Sequence, residues 1–304
     1  MKGTKKQVPN GILGFPVAPM DKAGVIDYES LKRNIEFLLE EGLQSIFIAC
    51  GAGELQSINI EEYRKMVSVG IESTAGKVPL YTGVGGNLSA ALEQAEISAE
   101  LGADGYLILP PYLIEPSQDG ISEYLGSIIK STQLRAIVYQ RDNCVLEIDT
   151  IENLCDHPQL VGFKDGVGNM EFNIELKHRL GDRLEYINGL PLAEMTMAAY
   201  SGIGFHSYSS AISNYIPHIS SLYYKALLDG NSRLSDEIYR DVILPINKIR
   251  KMKKGYAVAL IKAGMKIVGL PISLNVRAPI VPVEDVHYQA LEKVILNALE
   301  KYPK

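Results

Sequence analysis

The chain has 304 residues, a formal net charge of −6 and 46% hydrophobic residues, enough for a sizeable core in one large domain or two ordinary ones. The mild negative charge gives no electrostatic footprint for nucleic acid. The cysteines are three, Cys50, Cys144 and Cys155, without CxxC spacing, which argues against a disulfide framework and a zinc site.

The first stretch, MKGTKKQVPNGILGFPVAPM, is basic, but its apolar run is short and broken by Pro9, Gly14, Pro16 and Pro19. It is not read as a signal peptide. No apolar run approaches the ~18 residues of a membrane-spanning helix. The expected setting is cytoplasmic and reducing, with no membrane partner.

Residues 11–18 (GILGFPVA) form the first predicted strand. Asp27 then stands at a helix N-cap, followed by Leu31, Ile35, Leu38 and Leu39 at one-face spacing, with Gly42 as the stop. Ser45–Cys50 is apolar on both faces, as a parallel strand covered by helices must be. The cycle continues with helix 59–75, strand 78–82, helix 88–101 capped by Asn87, strand 104–109 and helix 118–131. Strand 135–139, helix 148–155, strand 159–164, helix 170–180, strand 184–188, helix 191–200 and strand 202–206 complete it. Eight strands alternating with helices fit an α/β barrel or a large doubly wound sheet; the length of the region suits the first, a (β/α)8 TIM barrel over residues 1–212. Residues 213–304 read as helical throughout, a closing helix plus a C-terminal helical extension within the same structural unit.

Three glycine-rich segments follow predicted strands: CGAGE (50–54), TGVGGN (82–87) and KDGVGN (164–169). None is a true GxGxxG or a GxxxxGK[ST], so dinucleotide and P-loop readings are weak. Glycines there permit tight turns, or they bare backbone N–H groups for a carboxylate. Lys164 ends the apolar run QLVGFK. A strand-end lysine is ordinarily solvated; walled by apolar groups at a barrel mouth, it would become a carbonyl-attacking amine. Phe163 and Val161 are neighbours of the right kind for such a wall. Tyr139 closes the preceding strand, where its hydroxyl would serve proton transfer or simply pack. Arg141 would clamp a carboxylate or pair with Asp142. Tyr208, Ser209 and Ser210, placed after the eighth strand, suit polyol or carboxylate binding, or a helix cap. His206 is expected near the mouth in a packing role. The five histidines show no metal-ligand spacing, and no metal site is predicted.

Together LPPYLIEPSQDG (109–120), VYQRDN (138–143), GFKDGVGN (162–169), NGLPLAE (188–194), SYSSAISNYIP (207–217) and KKGYAVALIKAG (253–264) resemble the dihydrodipicolinate synthase / N-acetylneuraminate lyase superfamily over essentially the whole chain. VYQRDN with GFKDG resembles the branch that dehydrates and decarboxylates 5-dehydro-4-deoxyglucarate; synthases and neuraminate lyases usually carry YNxP at residues 139–142. The resemblance implies Lys164 as Schiff-base lysine and Tyr139 as proton relay. It implies Gly51 and Ala52 as receivers of the α-carboxylate, with Ser209, Gly189 and Arg141 lining the substrate pocket. It implies no cofactor beyond the covalent imine, a small α-keto sugar acid as substrate, and a homo-oligomer, tetramer or dimer. The family's loop usually has a threonine at the position of Ala52, and Leu113 stands where synthases place a tyrosine that reaches a neighbouring subunit. Other readings are a synthase or 2-keto-3-deoxy sugar-acid aldolase, and a non-catalytic keto-acid-binding paralogue.

Overall fold

Side-chain caps set several of the helix starts along this chain. Asp27, Asn59, Asn87, Ser117, Asn169 and Asn231 each accept a backbone N–H of the first turn. Asn59 and Glu62 close a full capping box. The computed structural model describes residues 8–304. The basic start of the N-terminal stretch, read above as no signal peptide, lies outside the described residues.

The elements alternate as expected. β1 (Ile12–Gly14), α1 (Tyr28–Glu40), β2 (Ile46–Ile48), α2 (Ile60–Thr74), β3 (Leu80–Gly86) and α3 (Leu88–Leu101) lead into β4 (Gly105–Pro111) and α4 (Gln118–Ser131). β5 (Arg135–Gln140), α5 (Ile148–Leu154), β6 (Leu160–Asp165), α6 (Met170–Leu180), β7 (Glu185–Asn188), α7 (Met197–Gly202) and β8 (Ser207–Ser210) follow. All strand pairings are parallel, and β8 returns to β1, closing the barrel in sequence order. α8 (Pro217–Leu228) completes the outer ring. α9 (Ser232–Ile238) runs through a π-helical turn into α10 (Leu244–Lys251), and α11 (Tyr256–Ile267) and α12 (Asp285–Lys301) end the chain.

The strands bury both faces. Inside the barrel Leu13, Phe15, Phe47, Cys50, Tyr81, Leu107, Ile137, Tyr139 and Ile187 form one cluster, with Phe15, Phe47 and Tyr81 stacked in succession. Alternate residues such as Val84, Ile108, Val138 and Phe163 pack outward with the helix layer.

Several expectations need correction. The eighth strand is residues 207–210, not 202–206: Gly204 has φ +88°, and Phe205 turns outward against Tyr186 and Tyr200. His206 therefore precedes β8 and lies exposed on the N-terminal rim, away from the mouth. There it lines, with Gly11, Lys177 and Glu185, a cavity of about 810 Å³ at the end of the barrel opposite the C-terminal strand ends. TGVGGN is mostly strand. A Cβ at Gly83 would stand 2.4 Å from the Ala49 carbonyl oxygen, so this glycine serves close strand packing rather than a turn. Helix 191–200 is split into a 3-10 turn (Ala193–Met195) and α7. Residues 269–284 are not helical; they cross back to the barrel, where Asn275 meets Lys262 and the Met20 carbonyl and Arg277 reaches the loop after β2.

Candidate active site

Strand alternation decides which side chains reach the barrel interior. Tyr139, Lys164 and Ile187 are lateral partners on β5, β6 and β7, so amine and phenol share one layer near the C-terminal rim. In barrels of this kind that rim carries the chemistry.

Lys164 is only 5% exposed. Its Nζ lies 4.4 Å from the Phe15 ring centroid and 4.3 Å from that of Tyr139. No carboxylate pairs with it among the described residues. Burial outweighs every other influence and pushes the amine down to about 7, with Cys50 acting upward and the Arg141 charge acting further downward. The apolar wall is thus Phe15 and Tyr139. Phe163, the expected neighbour, faces outward onto Phe172, since successive strand residues point to opposite faces.

Tyr139 donates a 2.8 Å hydrogen bond to the Gly189 carbonyl and accepts one from Arg141 Nη1 at 3.3 Å. Burial raises its hydroxyl above the usual phenol range. Gly189 sits against both groups: a Cβ there would lie 2.7 Å from Lys164 Cε and 2.8 Å from Tyr139 Cε2. Arg141 also pairs through Nε with Asp142 at 3.1 Å, the ion pair that is one of its two sequence readings.

Behind Lys164, Asp165 points the other way and organises the rim. It accepts from Gln140 Nε2 at 3.1 Å, Asn173 Nδ2 at 2.7 Å, the Val167 and Gly168 amides, and the Tyr200 hydroxyl. Gln140 in turn receives the Leu146 amide at 3.0 Å. This buried network anchors the chain on both sides of the Tyr139–Lys164 pair. It spans residues 140 to 200, which no local motif signals.

The loop after β2 presents Gly51 exposed and Ala52 partly buried. The N–H groups of Gly51, Ala52 and Gly53 donate to no protein acceptor among the described residues. The loop's far end is fixed by Glu54, which takes φ +56° and is fully buried. Its carboxylate receives Lys262 Nζ at 2.6 Å and the Arg277 amide at 3.1 Å. Lys262 also donates to the Asn275 carbonyl at 2.7 Å. Arg277 clamps Glu62 and reaches the carbonyls of Gly24 and Ser57. The C-terminal extension thereby holds this loop in place.

Ser209 lies within β8, opposite Leu13. Its neighbours turn outward, Tyr208 and Ser210 each hydrogen-bonding Ser220 of α8, so Ser209 faces the interior. Its hydroxyl has no protein partner among the described residues. The fold thus brings Lys164, Tyr139, Gly189, Arg141, Gly51, Ala52 and Ser209 around one rim; His206 lies elsewhere, and Phe15, Asp165, Glu54 and Lys262 are not foreseen from sequence. An amine near neutrality beside a phenol can attack a carbonyl and exchange protons with the adduct. Among the described residues no three His, Cys, Asp or Glu side chains gather as metal ligands.

Fold and site define a (β/α)8 barrel with its reactive groups at the C-terminal rim. The chain belongs to the dihydrodipicolinate synthetase family, whose model matches residues 8–298. It is 59% identical over 299 residues to a Bacillus licheniformis protein named "Probable 5-dehydro-4-deoxyglucarate dehydratase", covering 98% of this chain and 97% of that one. A Bacillus subtilis protein of the same name is 58% identical with the same coverage. Among solved structures, dihydrodipicolinate synthase from Oceanobacillus iheyensis superposes with a TM-score of 0.88 at 26% identity, covering 95% of this chain and 96% of that one.

Proposed function

We propose that this chain is a lyase that dehydrates and decarboxylates 5-dehydro-4-deoxyglucarate to 2,5-dioxopentanoate through a Schiff base on Lys164. One observation carries the reading: a buried amine, near 7 and without an acidic partner, shares a layer with the Tyr139 hydroxyl. The activity named for the two Bacillus relatives supplies the substrate.

Counting from the carboxyl beside the keto group, Lys164 Nζ adds to C2, and the carbinolamine loses water to a protonated imine. Tyr139 moves protons at nitrogen and oxygen in these steps. The imine withdraws electrons from C3; a C3 proton leaves and the C4 hydroxyl departs as water. The C2–C4 system is then conjugated. It accepts the C5–C6 bonding pair as the distal carboxyl leaves as CO2. Protons return to C3 and C4 as the C5 enol becomes an aldehyde. Hydrolysis of the imine regenerates Lys164. The free amides of Gly51 and Ala52 receive the α-carboxylate, and Ser209 faces the polyol carbons. No cofactor is required, because the imine itself is the electron sink.

The exposed apolar residues Tyr112, Leu113 and Ile114, on the loop after β4, support a homo-oligomer. Three free cysteines suit a reducing, cytoplasmic setting. No helix among the described residues is long and apolar enough to cross a membrane.

The test is to follow CO2 and 2,5-dioxopentanoate from 5-dehydro-4-deoxyglucarate. Stoichiometric release of both supports the assignment. No release, with brisk aldol cleavage or synthase turnover instead, moves it to another branch of the family.

A further inference from the structure

Tyr139 carries protons in the chemistry proposed above, and its two hydrogen bonds treat its two ionisation states differently. The hydroxyl donates to the Gly189 carbonyl at 2.8 Å, a contact that favours the neutral phenol and turns repulsive once the proton leaves. Arg141 Nη1 donates to the same oxygen at 3.3 Å, and this bond strengthens when the oxygen becomes an anion. Nothing else donates to that oxygen among the described residues, and Ala52, packed against the same interior cluster, has no hydroxyl to offer. Burial raises the phenol, and the Arg141 charge is the largest influence acting downward. The other ionisable neighbours are Cys50, a buried thiol pushed up to about 12, Asp142, which is exposed, and Asp165, which faces away. The turn that carries Arg141 is fixed on both sides. Its N–H donates to the Cys144 carbonyl at 3.0 Å and its carbonyl receives the Cys144 N–H at 2.8 Å. Asn143 Nδ2 donates to the Pro111 carbonyl at 2.9 Å and to the Ile114 carbonyl at 2.6 Å. Asp142 takes Nε, so Nη1 is left to face Tyr139.

We infer that Arg141 is the positioning residue for proton transfer by Tyr139: its guanidinium aims the phenol oxygen and stabilises the phenolate through which the imine forms. This rests on the imine chemistry proposed above. When Lys164 Nζ bonds to C2, the carbonyl π pair moves onto the oxygen. Tyr139 passes its proton to that oxygen and then takes one from the ammonium nitrogen. The phenol is restored and the carbinolamine is neutral. The phenolate exists only between the two transfers, beside a guanidinium that stays charged throughout and cannot supply the proton itself. The same charge, added to burial, pushes the Lys164 amine down against the opposing influence of Cys50. One fixed cation thus favours both the free amine and the mobile proton.

The experiment measures single-turnover imine formation, trapped with borohydride and mapped to Lys164, for pyruvate and for 5-dehydro-4-deoxyglucarate. Wild type is compared with Arg141→Gln, Arg141→Lys, and Arg141→Ala with and without millimolar guanidinium chloride. Pyruvate has no second carboxylate, so it separates proton transfer from recognition of the distal end. At saturation Arg141→Gln should form the imine about 10–100-fold more slowly with both acids, the worth of a hydrogen bond to a charged group. The rising limb of its pH profile should move to higher pH, because the amine loses a neighbouring positive charge. Arg141→Lys, and guanidinium added to Arg141→Ala, should restore part of the rate. A wild-type rate at saturation in Arg141→Gln overturns the inference, whether or not more acid is needed to reach it. So does a loss confined to 5-dehydro-4-deoxyglucarate, which makes Arg141 a substrate-binding residue, and so does a slowed variant that neither Arg141→Lys nor guanidinium rescues. Wild type that takes no label on Lys164 from either acid removes the imine, and the inference falls with it; wild type that is labelled, with Arg141→Gln equally fast, removes the inference alone.

Discussion

The Tyr139 hydroxyl donates to the carbonyl of Gly189 at 2.8 Å, although the two residues are fifty apart in the chain. That bond aims the phenol across the top of β6, and it exists because residue 189 has no side chain. A Cβ there would enter the space of both Lys164 and Tyr139. Gly189→Ala should therefore lower kcat by ~10²-fold or more, since small displacements of reacting groups are costly. Its melting temperature should fall by only a few degrees. Steady-state kinetics beside a thermal melt checks this, and unchanged kcat would contradict the packing argument.

Tyr139→Phe keeps the ring that walls the amine and removes only the hydroxyl. Turnover should slow by ~10²–10⁴ if the hydroxyl moves protons. The Gly189 carbonyl loses its donor, at a cost of about 1–3 kcal/mol in stability. Denaturant unfolding and single-turnover kinetics separate the two effects.

The lysine's depressed pKa has a kinetic and a thermodynamic signature. Imine formation should follow the unprotonated amine, rising with pH and levelling above about 7. In the unfolded chain the same lysine titrates near its ordinary value of about 10.4. Between those values the unfolded state binds more protons, so this residue's penalty on folding is full below pH 7 and fades as pH climbs toward 10. Wild type should gain stability relative to Lys164→Met over that interval. Melting curves of both proteins across pH 6–10 provide the check.

Glu54 and Lys262 are 208 residues apart and both fully buried. Lys262→Met strands a buried carboxylate and should cost about 3–5 kcal/mol. Lys262→Met with Glu54→Gln should recover much of that loss, because no charge is left unpaired. If the pair fixes the loop of Gly51 and Ala52, KM for the keto acid rises in the double variant more than kcat falls. A double-mutant cycle read by denaturant unfolding and by kinetics tests both parts.

Much of the barrel is legible in sequence because parallel strands covered on both faces are continuous apolar runs, as in SIFIAC and LVGF. The boundary at β8 is not. SYSS is polar, and two of its hydroxyls are satisfied by carboxylates well upstream in the chain, Ser207 by Glu185 and Ser210 by Glu194. GIGFH is apolar but only turns the chain into the strand. At the site, Lys164 and Tyr139 are legible as strand-end residues on neighbouring strands. The direction of Phe163 is not, and neither is the role of Phe15, four strands' connectivity away from Lys164 in sequence but in contact across the interior. Asp165 hides in a motif that reads as a turn. Lys262 reads as one more lysine on an amphipathic helix until the fold buries it on Glu54.

The proposed chemistry stands on an imine between Lys164 and the substrate's keto carbon. Borohydride reduction during turnover of 5-dehydro-4-deoxyglucarate, followed by peptide mass mapping, tests it most directly. Irreversible inactivation is expected, with one adduct per chain, on Lys164, and none in Lys164→Ala. An adduct on another lysine, or full activity after reduction with no adduct, would contradict it.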